Sequence, residues 1–139
     1  MDIQAGRCVG HNQELNGIEY HQGSETIIAL TDLLLILGKR SNMKQNHYDL
    51  SKTELFYVEK GTCIELYATT LHYTPCQVNE DGFATICILP KGTNMPVDKT
   101  DCEILTKKNK FFITHPSMTS KIEQGAKPYL SGDIVKIRI

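Results

Sequence analysis

Four side chains in two separate stretches of the chain have the types and spacing of a metal site. Glu19 and His21 are two residues apart, and they point the same way in an extended strand because its side chains alternate between faces. The turn-forming sequence Gln-Gly-Ser that follows can fold Glu25 back beside them. His72, in the second stretch, would be the fourth ligand. Two imidazoles and two carboxylates suit a divalent transition metal that keeps open coordination positions.

Two further pairs of residues are candidates for substrate chemistry. Glu65 and Tyr67 share one face of a predicted strand, and Glu65 is the candidate general acid or base, with Tyr67 beside it. Lys91 and Asn94 follow an apolar strand, where they can reach a substrate carboxylate or hydroxyl. Each pair also has a simpler interpretation. The strand face of Glu65 can meet solvent, and Lys91 and Asn94 can belong to a surface turn.

Short clusters of β-branched and aromatic residues, separated by Gly, Pro, Asn, Asp and Ser, predict an all-β protein. No helical periodicity lasts for three turns. We expect one domain over residues 1–139, folded as a double-sheet jelly roll or a small barrel. The predicted strands are 18–21, 26–37, 55–58, 63–67, 71–78, 83–89, 110–114 and 134–139.

Three polar connections are unusually long, and one segment is unusually apolar. The connections are 38–53, 90–109 and 115–133, and loops of such length are usually functional or mobile. Residues 26–37 are almost continuously apolar, which predicts that both faces of this strand or strands are covered. Another part of the chain or a second subunit can provide that cover. We expect a homodimer.

Composition argues against several partners. Fifteen Lys and Arg balance sixteen Asp and Glu for a formal charge of −1, without a basic patch, so nucleic acid is not an expected partner. Five cysteines without a CxxC pair fit neither a disulfide framework nor a zinc ribbon, which favours a reducing, cytoplasmic location. The N-terminus lacks the pattern of a signal peptide. The longest apolar run, 33–37, is too short to span a membrane.

The same stretches carry a family resemblance. The pattern Glu-x-His-x-x-x-Glu at 19–25 resembles the first conserved motif of cupins, with a glutamate where the first histidine usually stands. Residues 61–75 resemble the second cupin motif, and their His-x-x-Pro ending is similar to that of ureidoglycolate lyase. The phrases at 15–21, 65–72 and 89–94 resemble a bacterial cupin family of unknown function, whose members carry an additional N-terminal segment.

The resemblance implies a cupin-type jelly-roll barrel with a bound Mn, Fe, Zn, Ni or Co ion. Such an ion polarises a carbonyl group, which favours an isomerase or lyase acting on a small hydroxy-carbonyl metabolite such as a sugar, a sugar acid or a ureidoglycolate-like compound. A non-catalytic module that binds or senses a sugar or a metal is the main alternative. An Fe(II) dioxygenase is a third, because the same ligand types suit iron and oxygen. Turnover, or its absence, would separate these functions.

Overall fold

Strands form most of the regular structure in the computed structural model, which describes all 139 residues. The first seven strands are β1 (Ile3–Gly10), β2 (Glu14–Leu15), β3 (Gly17–Tyr20), β4 (Glu25–Ala29), β5 (Leu33–Lys39), β6 (Tyr48–Asp49) and β7 (Glu54–Val58). The other seven are β8 (Cys63–Leu66), β9 (Thr70–Leu71), β10 (Phe83–Pro90), β11 (Leu105–Lys107), β12 (Lys110–Thr114), β13 (Leu130–Ser131) and β14 (Val135–Lys136). The helical segments are α1 (Thr119–Glu123) and two 3-10 turns, Arg40–Asn42 and Leu50–Lys52.

Two sheets make up the body of the fold. The first sheet has the strand order β1-β10-β4-β8. The second combines β11-β12-β3 with β7-β5-β9, and a backbone pairing between Glu19 and His72 joins these two halves. The all-β prediction is therefore confirmed. The sheets do not close into a barrel, because β8 and β7 remain unpaired edges.

An inner hydrophobic cluster packs between the two sheets. Strand alternation produces it: in β4 the side chains of Ile27 and Ala29 are buried, whereas Thr26 and Ile28 point to the other face. The opposing sheet contributes Leu33 and other inward residues. The full cluster is Ile27, Ala29, Leu33, Leu35, Val58, Leu66 and Phe83.

A second cluster covers the opposite face of the second sheet, and the long polar connections build most of that cover. It includes Tyr48 and Leu50 from the first connection, Ile104 from the second and Leu130 from the third. Each of these long connections therefore supplies core residues and packs as part of the fold. The complete cluster is Leu15, Ile18, Tyr20, Ile36, Tyr48, Leu50, Leu71, Cys76, Ile104, Ile113 and Leu130.

The apolar segment 26–37 consists of two strands that belong to different sheets. The chain leaves the first sheet after β4, and Asp32 fixes the crossing by accepting hydrogen bonds from the Lys60 amide and the Tyr57 hydroxyl, each at 2.8 Å. In β5, Leu35 then packs in the inner cluster and Ile36 in the outer one. Both faces of β5 are thus covered by the chain itself, and this strand needs no second subunit.

Several predicted strand boundaries change. Residues 71–78 pair only at β9 and at isolated positions, and 134–139 pair only at β14. β1 is absent from the predicted strands, because Gln, Ala and two glycines give its sequence a low β propensity. No helix in the protein has the length and apolar character needed to cross a membrane.

The double cover of β5 predicts that both of its faces are equally sensitive to truncation. Leu35→Ala and Ile36→Ala should each lower the free energy of unfolding by about 2–5 kcal/mol, because each removes a buried side chain from a different cluster. Leu55→Ala on the edge strand β7, where the side chain is 53% exposed, should cost about 0.5 kcal/mol or less. Urea unfolding measures all three. If Ile36→Ala matches Leu55→Ala, the outer cluster does not stabilise the sheet.

Candidate metal centre

A pair of backbone hydrogen bonds brings the two sequence stretches together. The Glu19 amide donates to the His72 carbonyl at 2.7 Å, and the His72 amide donates to the Glu19 carbonyl at 3.0 Å. Residues that exchange both bonds in an antiparallel pair lie directly opposite each other, so their side chains share one face. Glu19 and His72 consequently point into the same space between the sheets.

The fourth residue, Glu25, reaches this space from the other sheet. It is the first residue of β4, and residues 21–24 carry the chain across from β3. Gly23 permits a tight crossing, because a Cβ atom at this position would lie 2.8 Å from Pro90 Cγ. The predicted turn therefore places Glu25 beside His21, although the two residues belong to different sheets.

The four side chains converge closely. His72 Nε2 lies 3.0 Å and His21 Nε2 lies 3.3 Å from Glu25 Oε2. Glu19 Oε1 is 3.8 Å from His21 Nε2 and 3.9 Å from His72 Nε2. One ligand atom from each residue thus lies within 4.8 Å of the others. The structure brings together all four residues of the predicted ligand set.

Backbone carbonyl groups orient both imidazole rings. His21 Nδ1 is 2.8 Å from the Asn109 carbonyl oxygen, and His72 Nδ1 is 3.2 Å from the Thr70 carbonyl oxygen. A carbonyl oxygen can only accept, so each Nδ1 carries the hydrogen and donates it. When the rings are neutral, the lone pair of each Nε2 faces the two carboxylates. Metal-binding histidines are held by their other nitrogen in the same way.

One nitrogen in the cluster has no hydrogen-bond partner. His21 Nε2 is buried and makes no hydrogen bond, although a buried polar atom normally finds one. Ligand atoms on bonds of about 2.1 Å are separated by about 3.4 Å in a tetrahedral site and about 3.0 Å at adjacent octahedral positions. The observed separations of 3.0–3.9 Å fall close to these values. The residues therefore fit a divalent ion.

Protonation of the metal-free cluster follows from its contacts. Burial alone would raise the pKa of Glu25, but the hydrogen bond with His72 and the charges of the two nearby imidazoles outweigh burial and hold this pKa far below its usual range. Burial alone would lower the pKa of His72, but Glu25 and Glu19 outweigh it and raise this pKa. His72 and Glu25 thus form a buried ion pair when no metal is bound.

Lys110 is a part of the site that the sequence analysis did not identify. Its Nζ atom lies 3.0 Å from Glu19 Oε2, the carboxylate oxygen that faces away from the imidazoles. β12 pairs with β3 so that Phe112 lies opposite Glu19, which puts Lys110, two residues earlier, on the same face. The Lys110 side chain is 26% exposed and borders the cavity. It is the nearest cation to the cluster.

A cavity of about 370 Å³ opens beside the four residues. Its walls include Glu19, Glu25 and His72, together with two thiols, Cys8 from β1 and Cys87 from β10. The interaction between these two thiols lowers the pKa of Cys8 to about 7 and raises that of Cys87.

The predicted catalytic pair does not reach this cavity. Glu65 lies opposite Thr26 in the pairing of β8 with β4, and both point to the outer face of the first sheet. Tyr67 is 60% exposed on the same outer side. Inward positions of β8 belong to Ile64 and Leu66. The solvent-facing interpretation of Glu65 and Tyr67 is correct, and neither residue can act at the cluster.

Only one residue of the predicted substrate-binding pair borders the cavity. Asn94 borders the cavity and is exposed at its mouth. Lys91 is exposed and does not line the cavity, and its amide donates to the Asp2 carbonyl in a turn. The lysine that borders the cavity is therefore Lys110 and not Lys91. No local pattern reveals this difference, since it depends on the long-range pairing of β12 with β3.

The cluster predicts one divalent ion per chain. After metal removal and reconstitution with Mn, Fe, Co, Ni or Zn, elemental analysis should find about one ion, and the bound ion should raise the melting temperature. His21→Ala and His72→Ala should each weaken binding at least tenfold, because each removes a ligand. His47→Ala is the matched control, since this exposed histidine lies outside the cluster. Retention of the ion by His72→Ala at parental affinity would overturn the site.

A second prediction concerns protons. Because the pKa of His72 is raised, this residue keeps its proton to a higher pH than an ordinary histidine, and a metal ion must displace that proton. Binding should release up to one proton near neutral pH, and less as the pH rises through the raised pKa. Affinity should fall as the pH decreases. Calorimetry in buffers of different ionisation enthalpy measures the release, and a pH-independent result near zero would contradict this protonation state.

Comparisons with known proteins give a family without an assigned activity. No curated protein matches the chain significantly. A family model described as "Domain of unknown function (DUF4867)" matches residues 1–135, a range that includes both sheets and all four residues of the cluster. The chain belongs to this family, DUF4867.

Proposed function

We propose that the protein is a metal-dependent enzyme of the cupin type, an isomerase or lyase that acts on a small hydroxy-carbonyl metabolite. The observation that carries this proposal is the buried Nε2 atom of His21, which has no hydrogen-bond partner and faces two carboxylates and a second imidazole. Nothing in the chain itself satisfies that atom. A divalent ion held by Glu19, His21, Glu25 and His72 would.

Features of the fold support the cupin part of the proposal. The cluster lies between two antiparallel sheets, and its residues come from the two stretches that resemble cupin motifs. The glutamate at position 19 takes the place of the usual first histidine and still points into the cluster. The departure from the motif therefore changes the charge of the ligand set without removing a ligand.

The chemistry divides between the ion and the chain. A bound divalent ion would act as a Lewis acid toward a carbonyl oxygen of the substrate. Lys110 places an ammonium group at the cavity edge, where it can bind a substrate carboxylate or oppose negative charge that develops on a substrate oxygen. The carbonyl groups of Asn109 and Thr70 keep the imidazoles in one orientation throughout.

The cavity favours a small polar substrate. A volume of about 370 Å³ lies at the lower end of ordinary ligand pockets, so a compact metabolite fits better than a polymer. Asn94 and Lys110 at its border offer an amide and a cation to hydroxyl and carboxylate groups. Apolar residues such as Ile27 and Leu89 line the inner wall and limit the water around the reacting groups.

A specific observation also favours the binding-module alternative. Glu19 and Glu25 are the cavity's only carboxylates, and both belong to the predicted ligand set. With Glu65 on the outer face, no separate carboxylate remains to act as general base. A module that binds a chelating metabolite without converting it needs no such base. Metal binding is common to both functions, and turnover separates them.

Lys110 provides a test that does not depend on knowing the substrate. Oxalate, a small chelating dianion, should bind the metal-loaded protein, and Lys110→Met should weaken its binding about tenfold, the usual effect of losing one charge-assisted hydrogen bond. Lys107→Met is the matched control, because this exposed lysine of β11 lies outside the cavity. Calorimetry measures the affinities. Equal oxalate binding by Lys110→Met and the parent would remove Lys110 from the site.

Turnover is measured in the same set of variants. Keto-sugars, sugar acids, sugar phosphates and ureidoglycolate are incubated with metal-loaded protein in D₂O, and NMR follows exchange at the carbon next to the carbonyl and, for ureidoglycolate, the release of glyoxylate and urea. Lys110→Met should reduce any exchange, whereas Glu65→Gln should leave it unchanged. Oxalate binding without exchange on any of these compounds would favour the binding module over the enzyme.

A further inference from the structure

The outer face of the first sheet is a broad apolar surface that no other part of the chain covers. Its centre consists of Ile28 on β4 and of Ile86 and Ile88 on β10, and none of the three packs against either hydrophobic cluster. Ile3 and Val9 on β1 extend this surface and are 61% and 57% exposed. Contiguous apolar surface of this kind usually marks an interaction site.

Strand alternation explains why these residues face outward. On β10, Phe83, Thr85 and Leu89 are buried, so Ile86 and Ile88 occupy the opposite face. The same holds for Ile28 between Ile27 and Ala29 on β4. One face of this sheet thus packs on the inner cluster, while the centre of the other face is apolar as well. An antiparallel sheet with one face in water would instead carry polar residues on that face.

Two opposite charges lie at opposite edges of the surface. Arg7 on β1 lies across from Ile86, which places it on the outer face, although its edge strand also borders the cavity. Glu65 on β8 lies across from Thr26, also on the outer face. Neither Arg7 nor Glu65 forms a salt bridge within the chain. Both charges remain available to a partner.

We propose that a second copy of this chain covers the outer face of the first sheet. A two-fold axis parallel to the strands, between β10 and β4, places β10 over β4 of the partner and β1 over β8 of the partner. The isoleucines of the two copies then meet, and Arg7 lies opposite the partner's Cys63, two residues or about 6.8 Å along β8 from the partner's Glu65. Packed sheets lie about 10 Å apart, a gap that an arginine and a glutamate side chain span together.

The size of the surface sets the expected strength. The long strands β1 and β10 carry four outward residues each, and the short strands β4 and β8 carry two each. With strands about 4.8 Å apart and outward residues about 6.8 Å apart along each strand, these positions cover roughly 390 Å² on each copy. Two copies therefore bury about 780 Å² of projected area, which is in the range of weak, transient interfaces. We expect dissociation in the micromolar range. The two-fold symmetry forms the Arg7–Glu65 pair twice, so one substitution changes two contacts and affects the dissociation constant through both.

Charge reversal gives a sharp test. In reducing buffer, so that exposed Cys63 forms no disulfide, sedimentation velocity at 1–100 μM should show a reversible dimer of the parent chain. Arg7→Glu and Glu65→Arg should each raise the dissociation constant at least tenfold, because each places like charges together. The double variant Arg7→Glu/Glu65→Arg should recover most of the parental affinity. Ile86→Asp should abolish the dimer while circular dichroism still shows the folded protein.

Two results would overturn the inference. One is a parent chain that remains monomeric at 100 μM. The other is evidence that a different surface forms the contact. That evidence would be a dimer that Ile86→Asp leaves intact, or a double variant that dimerises no more tightly than either single variant. Leu55→Asp is the control, because this exposed residue of β7 lies on the other sheet and should leave the dimer unchanged.

Discussion

The reciprocal hydrogen bonds between Glu19 and His72 are the constraint on which the organisation of the molecule depends. They join β3 to β9 and so connect the two halves of the second sheet. The same pairing forces the two side chains onto one face, where His21 is already present. A local strand pattern thereby becomes a long-range site. Glu25 then closes the site from the first sheet, so the ligand set also links the two sheets.

Burial makes this arrangement costly without a cation. Two carboxylates and two imidazoles lie between the sheets, and a buried charge is tolerated only when it is paired. The chain supplies part of that compensation, since Lys110 neutralises one carboxylate and a proton on His72 neutralises the other. His21 receives nothing from this internal pairing. In the metal-free protein, His21 Nε2 is therefore the one nitrogen of the cluster without a compensating partner.

Local patterns predicted the ligand set better than its surroundings. The alternation of Glu19 and His21 and the turn before Glu25 are properties of adjacent residues, and the sequence carries them directly. Lys110 and Glu65 depend instead on which strands pair, and nothing in a single sequence specifies that β12 lies beside β3 or that β8 turns Glu65 outward. The predicted strand 26–37 is two strands of different sheets, a division that is hard to see in the sequence because only Thr31 and Asp32 interrupt the apolar run.

Asn109 ends the long connection 90–109 and orients one residue of the cluster, although it is not itself one of the four clustered residues. Its carbonyl orients His21, and its side chain accepts a hydrogen bond from the Gln22 amide at 2.8 Å, so one residue fixes both the ligand and the turn behind it. The connection before Asn109 contributes Ile104 to the outer cluster. Substitutions in that connection can therefore change the basicity and the orientation of the His21 imidazole, even where every residue of the cluster stays the same.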